Sequence, residues 1–317
     1  MNLKPALAED ATLDKVTYPC WVQPKIDGVR ALKLGPQLTG RSLDPFKGYG
    51  VTEAFSLPEY TGFDGEMTLG DMPNSAERLC SLTTGAIGAF KGVTEVADLH
   101  WWLFDLVLPS TITLPYNERY RLLQQTLFKA TEKPRLHLVP YTTCTNRIEL
   151  EVAIAANFQA GYEGTILRNP AAIYREGRAT LKGQEIWRVK AWMDSEMLVT
   201  GITEGSANNN EAKINTLGRT ERSSAKVGKV ANGQVGSLQG VLLSDVCSPI
   251  TGALMFEKGL EVTVSSGQMT LKEADHYFSN PSEVVGHIIK FKHFAHGQKD
   301  KPRMGTYVSH RLTQDIS

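Results

Sequence analysis

The chain has 317 residues, 41% of them hydrophobic and 21% charged, with 34 acidic and 34 basic side chains and a formal net charge of zero. Those are globular values, sufficient for two domains with cores of their own, and the balanced charge excludes a simple polycation that would hold nucleic acid by bulk charge alone. No run of about 20 apolar residues occurs, so no membrane span is predicted, and the start Met1-Asn2-Leu3-Lys4-Pro5-Ala6 lacks the apolar core of a signal peptide, which predicts a cytoplasmic protein.

Residues 18–34 alternate in a strand-like way around Lys25. Further strands are predicted at 61–67, 100–107, 164–168 and 185–191, short aromatic and aliphatic runs bounded by Gly, Pro and Asp. A helix is predicted after Pro115, with Tyr120, Leu123 and Leu127 on one face. A second, over 147–160, has Asn146 as its cap and Gly161 as its stop. After Asp194 the composition changes. A strand at 197–202 leads into a polar stretch, 204–236, rich in Asn, Ser, Gly and charge, which reads as an insertion without packed structure. Strands follow at 237–246, 260–265, 286–294 and 306–311. They are interrupted by a helix that begins with the capping box Thr270-Leu271-Lys272-Glu273 and places Leu271, Ala274 and Phe278 on one face. Several strands and one helix in about 120 residues fit a small Greek-key barrel.

Cys20, Cys80, Cys144 and Cys247 form no Cys-x-x-Cys pair. They read as small buried hydrophobes instead of a zinc site or disulfide framework. His293-x-x-His296 has no evident third ligand and is weak evidence for a metal.

The strongest local signal is Gln23-Pro24-Lys25-Ile26-Asp27-Gly28-Val29-Arg30. In a strand Gln23 and Lys25 share a face, and Gly28 relaxes the backbone just after them. An amine can attack phosphorus when deprotonated. A free lysine has a pKa of about 10.4, so nearby cations or a metal would have to favour the neutral form. As an isolated string, Lys-x-Asp-Gly-x-Arg also fits a surface lysine before an Asp-Gly turn.

Five more segments follow in order: Thr39-Gly40-Arg41-Ser42, Phe63-Asp64-Gly65-Glu66, Trp102-Leu103-Phe104-Asp105-Leu106, Glu163-Gly164-Thr165-Ile166-Leu167-Arg168 and Trp187-Arg188-Val189-Lys190. With the Lys25 segment they resemble motifs I, Ia, III, IIIa, IV and V of the covalent nucleotidyltransferases, which comprise DNA ligases, RNA ligases and mRNA-capping enzymes. With Lys25 so near the start and no zinc-type cysteines, the chain resembles the minimal ATP-dependent DNA ligases of bacteriophages and other viruses. The resemblance implies an α+β fold. It would have a nucleotidyltransferase (ATP-grasp-like) adenylation domain with antiparallel sheets over 1–193, then a C-terminal OB-fold β-barrel over 194–317 that carries the polar insertion.

The resemblance also assigns roles. Lys25 is the nucleophile that takes up AMP. Gln23, Ile26, Arg30, Glu66, Phe104, Arg188 and Lys190 bind the nucleotide: Gln23 reads the adenine amine, Glu66 accepts from the ribose, Phe104 stacks on adenine, and Arg188 and Lys190 hold phosphate. Arg188 stands where the family usually has lysine, which keeps the charge and changes the geometry. Glu163 supports magnesium or manganese. Arg41 grips the 5′-phosphate side of a nick, and Arg219, Arg222, Lys226 and Lys229 of the insertion meet DNA. The C-terminal motif is recognisable only through Arg303 and Arg311. ATP and nicked duplex DNA are the implied substrates, and a monomer the implied state. An mRNA-capping guanylyltransferase or an RNA ligase is the alternative reading.

Overall fold

In the computed structural model, residues 3–74, 79–89, 98–131, 135–248, 252–294 and 300–311 are described. His296 of the His293-x-x-His296 pair lies outside them. The chain divides into two compact units, Met1–Lys190 and Ala191–Ser317.

Unit one begins with the short segments Ala6–Leu7 and Glu9–Asp10. It continues as β1 (Cys20–Lys25), β2 (Val29–Leu32), α1 (Tyr49–Phe55), β3 (Phe63–Leu69), α2 (Leu79–Ala89), β4 (Leu99–Leu106), α3 (Tyr116–Lys129), β5 (Leu136–Leu138), β6 (Thr142–Cys144), α4 (Arg147–Gln159), β7 (Gly164–Arg168) and β8 (Ile186–Lys190). The strands make two sheets. One has the order Glu9–Asp10, β8, β7, β1, β6; the other runs β2, β3, β4, β5. Within these two sheets all pairings are antiparallel except Glu9–Asp10 with β8 and β4 with β5, and Ala6–Leu7 separately pairs parallel with Gly177–Arg178.

The single strand expected around Lys25 is therefore two strands, β1 in one sheet and β2 in the other. The turn between them explains Gly28. Its φ is not positive, so conformational freedom is not what the position requires. A Cβ there would stand 2.2 Å from the Met67 carbonyl oxygen and 2.8 Å from Glu66 Cγ. Only glycine lets the crossing chain press so close to β3.

Each sheet is covered on its outer face. Trp101 and Leu103 of β4 are wholly buried with Phe63, Met67 and Ala31 beneath Tyr116, Tyr120 and Leu123 of α3. On the other sheet Val22, Leu167 and Trp187 pack with Leu150 and Ile154 of α4. The period of two then sends Trp102 and Phe104 to the opposite face of β4 from Trp101 and Leu103. The predicted caps are formed. Asn146 accepts from Glu149 N at 3.0 Å, and Gly161 leaves α4 with φ +86°. Helices α1 and α2 were not predicted. Each is short, and the sequence of α2, Leu-Cys-Ser-Leu-Thr-Thr-Gly-Ala-Ile-Gly-Ala, contains two glycines and little periodicity.

Unit two comprises β9 (Trp192–Asn208), β10 (Lys229–Leu242), β11 (Glu261–Ser265), α5 (Leu271–Ser279), β12 (Ile288–Phe294) and β13 (Thr306–His310). The five strands close a barrel in the order β9-β10-β11-β13-β12, an OB-type arrangement with α5 between the third and fourth strands. Trp192 and Met193, expected in the first domain, pair with Phe294 and His293 of β12. They begin the barrel because strand pairing starts before the change in composition. On β12 the side chains of Ile289, Phe291 and His293 are buried and alternate with Lys290 and Lys292. The capping box at Thr270 and Glu273 is complete. Leu271, however, is 73% exposed, while Ala274 is buried and Tyr277 and Phe278 pack on the core. The apolar face of α5 is therefore rotated from the expected one. Inside the barrel His293 Nδ1 donates to the Phe294 carbonyl (2.9 Å) and Nε2 shares a hydrogen bond with Ser195 Oγ (2.8 Å), so both ring nitrogens have protein partners.

The polar stretch is not structureless. Strands β9 and β10 continue pairing through Ser206 with Ala231 and Asn208 with Lys229. A small hairpin, Ala212–Ile214 with Thr220–Arg222, sits at the end. Asparagines close it: Asn210 Nδ2 donates to the Ser223 and Ala225 carbonyls at 3.0 and 2.8 Å, and Asn215 Oδ1 accepts from Leu217 N and Arg219 N at 3.1 and 3.0 Å. The pairing lacked a sequence signal because both faces are exposed, so no apolar alternation marks it.

Candidate active site

The site lies in unit one and begins with a register. Lys25 at the end of β1 pairs with Gly164, and so does Lys190 at the end of β8. The two lysines thus flank the first residue of the central strand. Glycine puts no side chain between them, and a Cβ at Gly164 would stand 2.2 Å from the Val189 carbonyl oxygen. Glu163, one residue earlier and 7% exposed, reaches both amines. Its Oε2 is ion-paired with Lys25 Nζ, and its Oε1 lies 2.9 Å from Lys190 Nζ. Burial alone would raise the Glu163 pKa. Lys25 and Lys190 outweigh burial and hold it below the usual carboxylate range.

One pocket is lined by Gln23, Lys25, Ile26, Arg30, Arg41, Glu66, Phe104, Arg168 and Arg188, among others. The second sheet supplies Arg30, Glu66 and Phe104. Arg30 and Glu66 are cross-strand partners and so share a face. Arg30 is held by Asp64 through two bonds of 2.6 Å. Burial would weaken its charge, but Asp64 beside it outweighs burial and raises its pKa. Its guanidinium lies 4.7 Å from the Phe104 ring centre, and that of Arg168 lies 5.2 Å away. Glu66 is pushed up to about 7 by burial, against the pull of Lys25 and Arg30. A carboxyl titrating near neutral pH in a cleft lined with cations is a typical feature of a functional site.

Ile26 is buried, and Arg41 is exposed at the rim. Arg188 lines the pocket and is gripped by Asp10 at 2.7 and 3.2 Å, an acid outside all six motifs. Asp64, Arg168 and Tyr116 also serve the site, and the motif resemblance assigns them no role. Arg168 had a legible signal, since it lies two residues from Ile166 on the pocket face of β7. Tyr116 had none, because it reaches the pocket's polar network from a helix. Arg219, Arg222, Lys226 and Lys229 are exposed on the hairpin arm of unit two, where Arg222 donates to the Asn210 carbonyl. Arg303 also belongs to unit two, with its guanidinium 5.9 Å from the Phe294 ring centre. Arg311 is ion-paired with Glu196. Among the described residues no cluster of three or more His, Cys, Asp or Glu could hold a metal, and no helix is long and apolar enough to cross a membrane.

A two-sheet cleft domain with lysines converging on one carboxylate, followed along the chain by a five-stranded barrel, is a nucleotidyltransferase architecture. Residues 5–190 match the family described as ATP dependent DNA ligase domain, and the chain belongs to that family. The DNA ligase of African swine fever virus is 25% identical over 118 residues, which are 37% of this chain and 28% of the relative. The chain therefore matches just over a quarter of the length of that relative. Among solved structures, the Chlorella virus DNA ligase-adenylate is 21% identical over 99% of this chain and 100% of its own, with a TM-score of 0.51. A Lig E DNA ligase is 20% identical over 96% and 98%, with a TM-score of 0.66. These two likenesses concern the fold.

Proposed function

We propose that this chain is an ATP-dependent DNA ligase that joins the 3′-hydroxyl and 5′-phosphate of a nick in duplex DNA through an AMP-lysine on Lys25. The observation that carries the proposal is the convergence of Lys25 and Lys190 on Glu163 beside a pocket that also holds Arg30, Glu66 and Phe104. In this reading the Lys25 amine attacks the α-phosphorus of ATP, forms the N–P bond and expels pyrophosphate. Arg188 and Lys190 offset charge on the phosphate oxygens. Phe104 offers a face to the base, and Glu66 accepts from the ribose. AMP then passes to the 5′-phosphate of the nick, positioned by Arg41. The 3′-hydroxyl attacks that phosphate and AMP leaves.

Magnesium, or manganese, fits the acids present. Magnesium is commonly held by one or two carboxylates together with substrate phosphates, and Glu163 supplies a buried carboxylate with Glu66 electrostatically coupled to it. Bound there, the ion would neutralise phosphate charge. On the arm, Arg219, Arg222, Lys226 and Lys229 would meet duplex phosphates. The protein would act as a monomer in the cytoplasm, with the domain boundary near residue 190.

The test is incubation with α-labelled ATP, α-labelled GTP and adenylate-labelled NAD in separate magnesium-containing reactions, then addition of nicked duplex DNA. Covalent label from ATP alone, followed by sealing, is expected. Label from GTP would replace the proposal with capping chemistry, and joining only of RNA ends with an RNA ligase.

A further inference from the structure

The amide of Gln23 is locked by its neighbours in a way that decides which part of a base it can read. Gln23 is 1% exposed and lines the pocket. Arg168 Nε lies 3.3 Å from its Oε1, and the Val139 carbonyl oxygen lies 3.3 Å from its Nε2. A guanidinium can only donate and a carbonyl can only accept. Turning the amide over would set donor against donor at Arg168 and acceptor against acceptor at Val139, so one orientation is fixed. The Tyr116 hydroxyl occupies the other side of Oε1 at 3.1 Å, sharing its single proton with the Phe104 carbonyl at 2.8 Å.

An amide oxygen has two lone pairs and an amide nitrogen two N–H groups. Arg168 and Tyr116 cover both sides of the oxygen, and Val139 takes one N–H. Among the described residues, what is left is a single N–H. This does not match the expectation that Gln23 accepts from the adenine amine. Of the purine ring nitrogens, N3 and N7 are acceptors in adenine and guanine alike. N1 alone changes, bare in adenine and protonated in guanine and hypoxanthine. A lone donor can therefore distinguish adenine from guanine through a ring nitrogen only at N1, and at the six-position it would favour the guanine oxygen.

We propose that Gln23 selects adenine by donating its free N–H to N1 and accepts nothing from the 6-amino group, with Arg168 and Tyr116 acting as positioning residues that fix the amide. The inference rests on the reading of this pocket as the ATP site.

The experiment measures single-turnover formation of the covalent nucleotide adduct by the wild-type chain with magnesium. The substrates are ATP, purine riboside triphosphate (N1 present, no amine), 1-deaza-ATP (amine present, no N1) and ITP (N1 protonated). Purine riboside triphosphate should stay within about fivefold of ATP in kcat/KM, while 1-deaza-ATP and ITP should fall by about 10- to 100-fold, the size of one absent or opposed buried hydrogen bond. A collapse with purine riboside triphosphate, or ATP-like rates with 1-deaza-ATP, would overturn the assignment. No adduct from ATP itself would remove the ligase reading and this inference together, a pattern distinct from either. Gln23→Glu removes the donor and keeps the acceptors, so KM for ATP should rise while ATP and 1-deaza-ATP become equivalent; an unchanged KM counts against the donor role. Arg168→Met should lower the ATP-to-ITP ratio by freeing the amide to turn, whereas a merely structural role would depress both substrates alike.

Discussion

Lys25 and Glu163 are joined by an ion pair between Nζ and Oε2, although they stand 138 positions apart in the chain. The other carboxylate oxygen holds Lys190 at 2.9 Å. One buried acid thus sets the place of two amines that arrive on different strands.

Lys25→Ala should reduce AMP-adduct formation by roughly 10⁴-fold or more, since removal of a nucleophile leaves no equivalent group. Joining of a nick that already carries AMP should survive, because there the 3′-hydroxyl is the nucleophile. Peptide mapping of any residual adduct is the check; AMP on a different residue would take the nucleophilic role from Lys25.

Glu163→Gln keeps the size and removes the charge that holds the lysines. Adduct formation should fall by about 100-fold, and its magnesium titration should move to higher concentration. Far-UV circular dichroism should stay near wild type, because the change leaves both sheets' outer cores intact. A magnesium curve superimposable on that of the wild type would exclude a role for Glu163 in metal support.

Glu66 supplies a pH dependence. Its folded pKa is raised from 4.5 to about 7, so between those values the folded chain keeps a proton that the unfolded chain has shed. Stability from this group therefore falls as pH rises from about 4.5 to 7, by an amount on the order of 3 kcal/mol, and levels off above. Nucleotide affinity should run the other way, rising as the carboxylate forms near pH 7. Glu66→Gln should flatten both profiles; an inflection near 7 that persists in the variant would assign it to another group.

Arg119 and Asp105 are both buried and share bonds of 2.8 and 3.0 Å, and Arg119 also donates to the Leu114 carbonyl at 2.8 Å. Arg119→Ala strands a buried carboxylate and should cost about 3–5 kcal/mol. Pairing Arg119→Met with Asp105→Leu should restore much of that stability. Urea unfolding of the three chains tests it, and a single variant as stable as wild type would show that Arg168, 3.5 Å from Asp105, suffices as the partner.

Replacing Arg219, Arg222, Lys226 and Lys229 by alanine should flatten the salt dependence of nick binding by about 0.9 log units for each DNA phosphate no longer neutralised. Labelling by ATP should remain near wild type, because the pocket is built wholly from unit one. An unaltered salt slope would dismiss the arm as a DNA-binding element; a collapse of labelling would tie it to the first chemical step.

The alternation of β4, with Trp101 and Leu103 to one side and Phe104 to the other, is legible in the local sequence, because side-chain direction in a strand is a local property. So are the caps at Asn146 and Thr270, whose bonds span three residues. Lys25, Glu66, Glu163 and Lys190 were legible as a set through their resemblance to ordered motifs.

How these residues meet is set by contacts between distant segments. The crossing of Lys25-Ile26-Asp27-Gly28 between two sheets, the shared partner Gly164, and the lock of Arg168 and Val139 on Gln23 depend on strand register between distant segments, which no local pattern encodes. The same holds for the paired arm. Its backbone bonds are satisfied between strands whose side chains face water on both sides, so the sequence carries polarity there and no period from which pairing could be read.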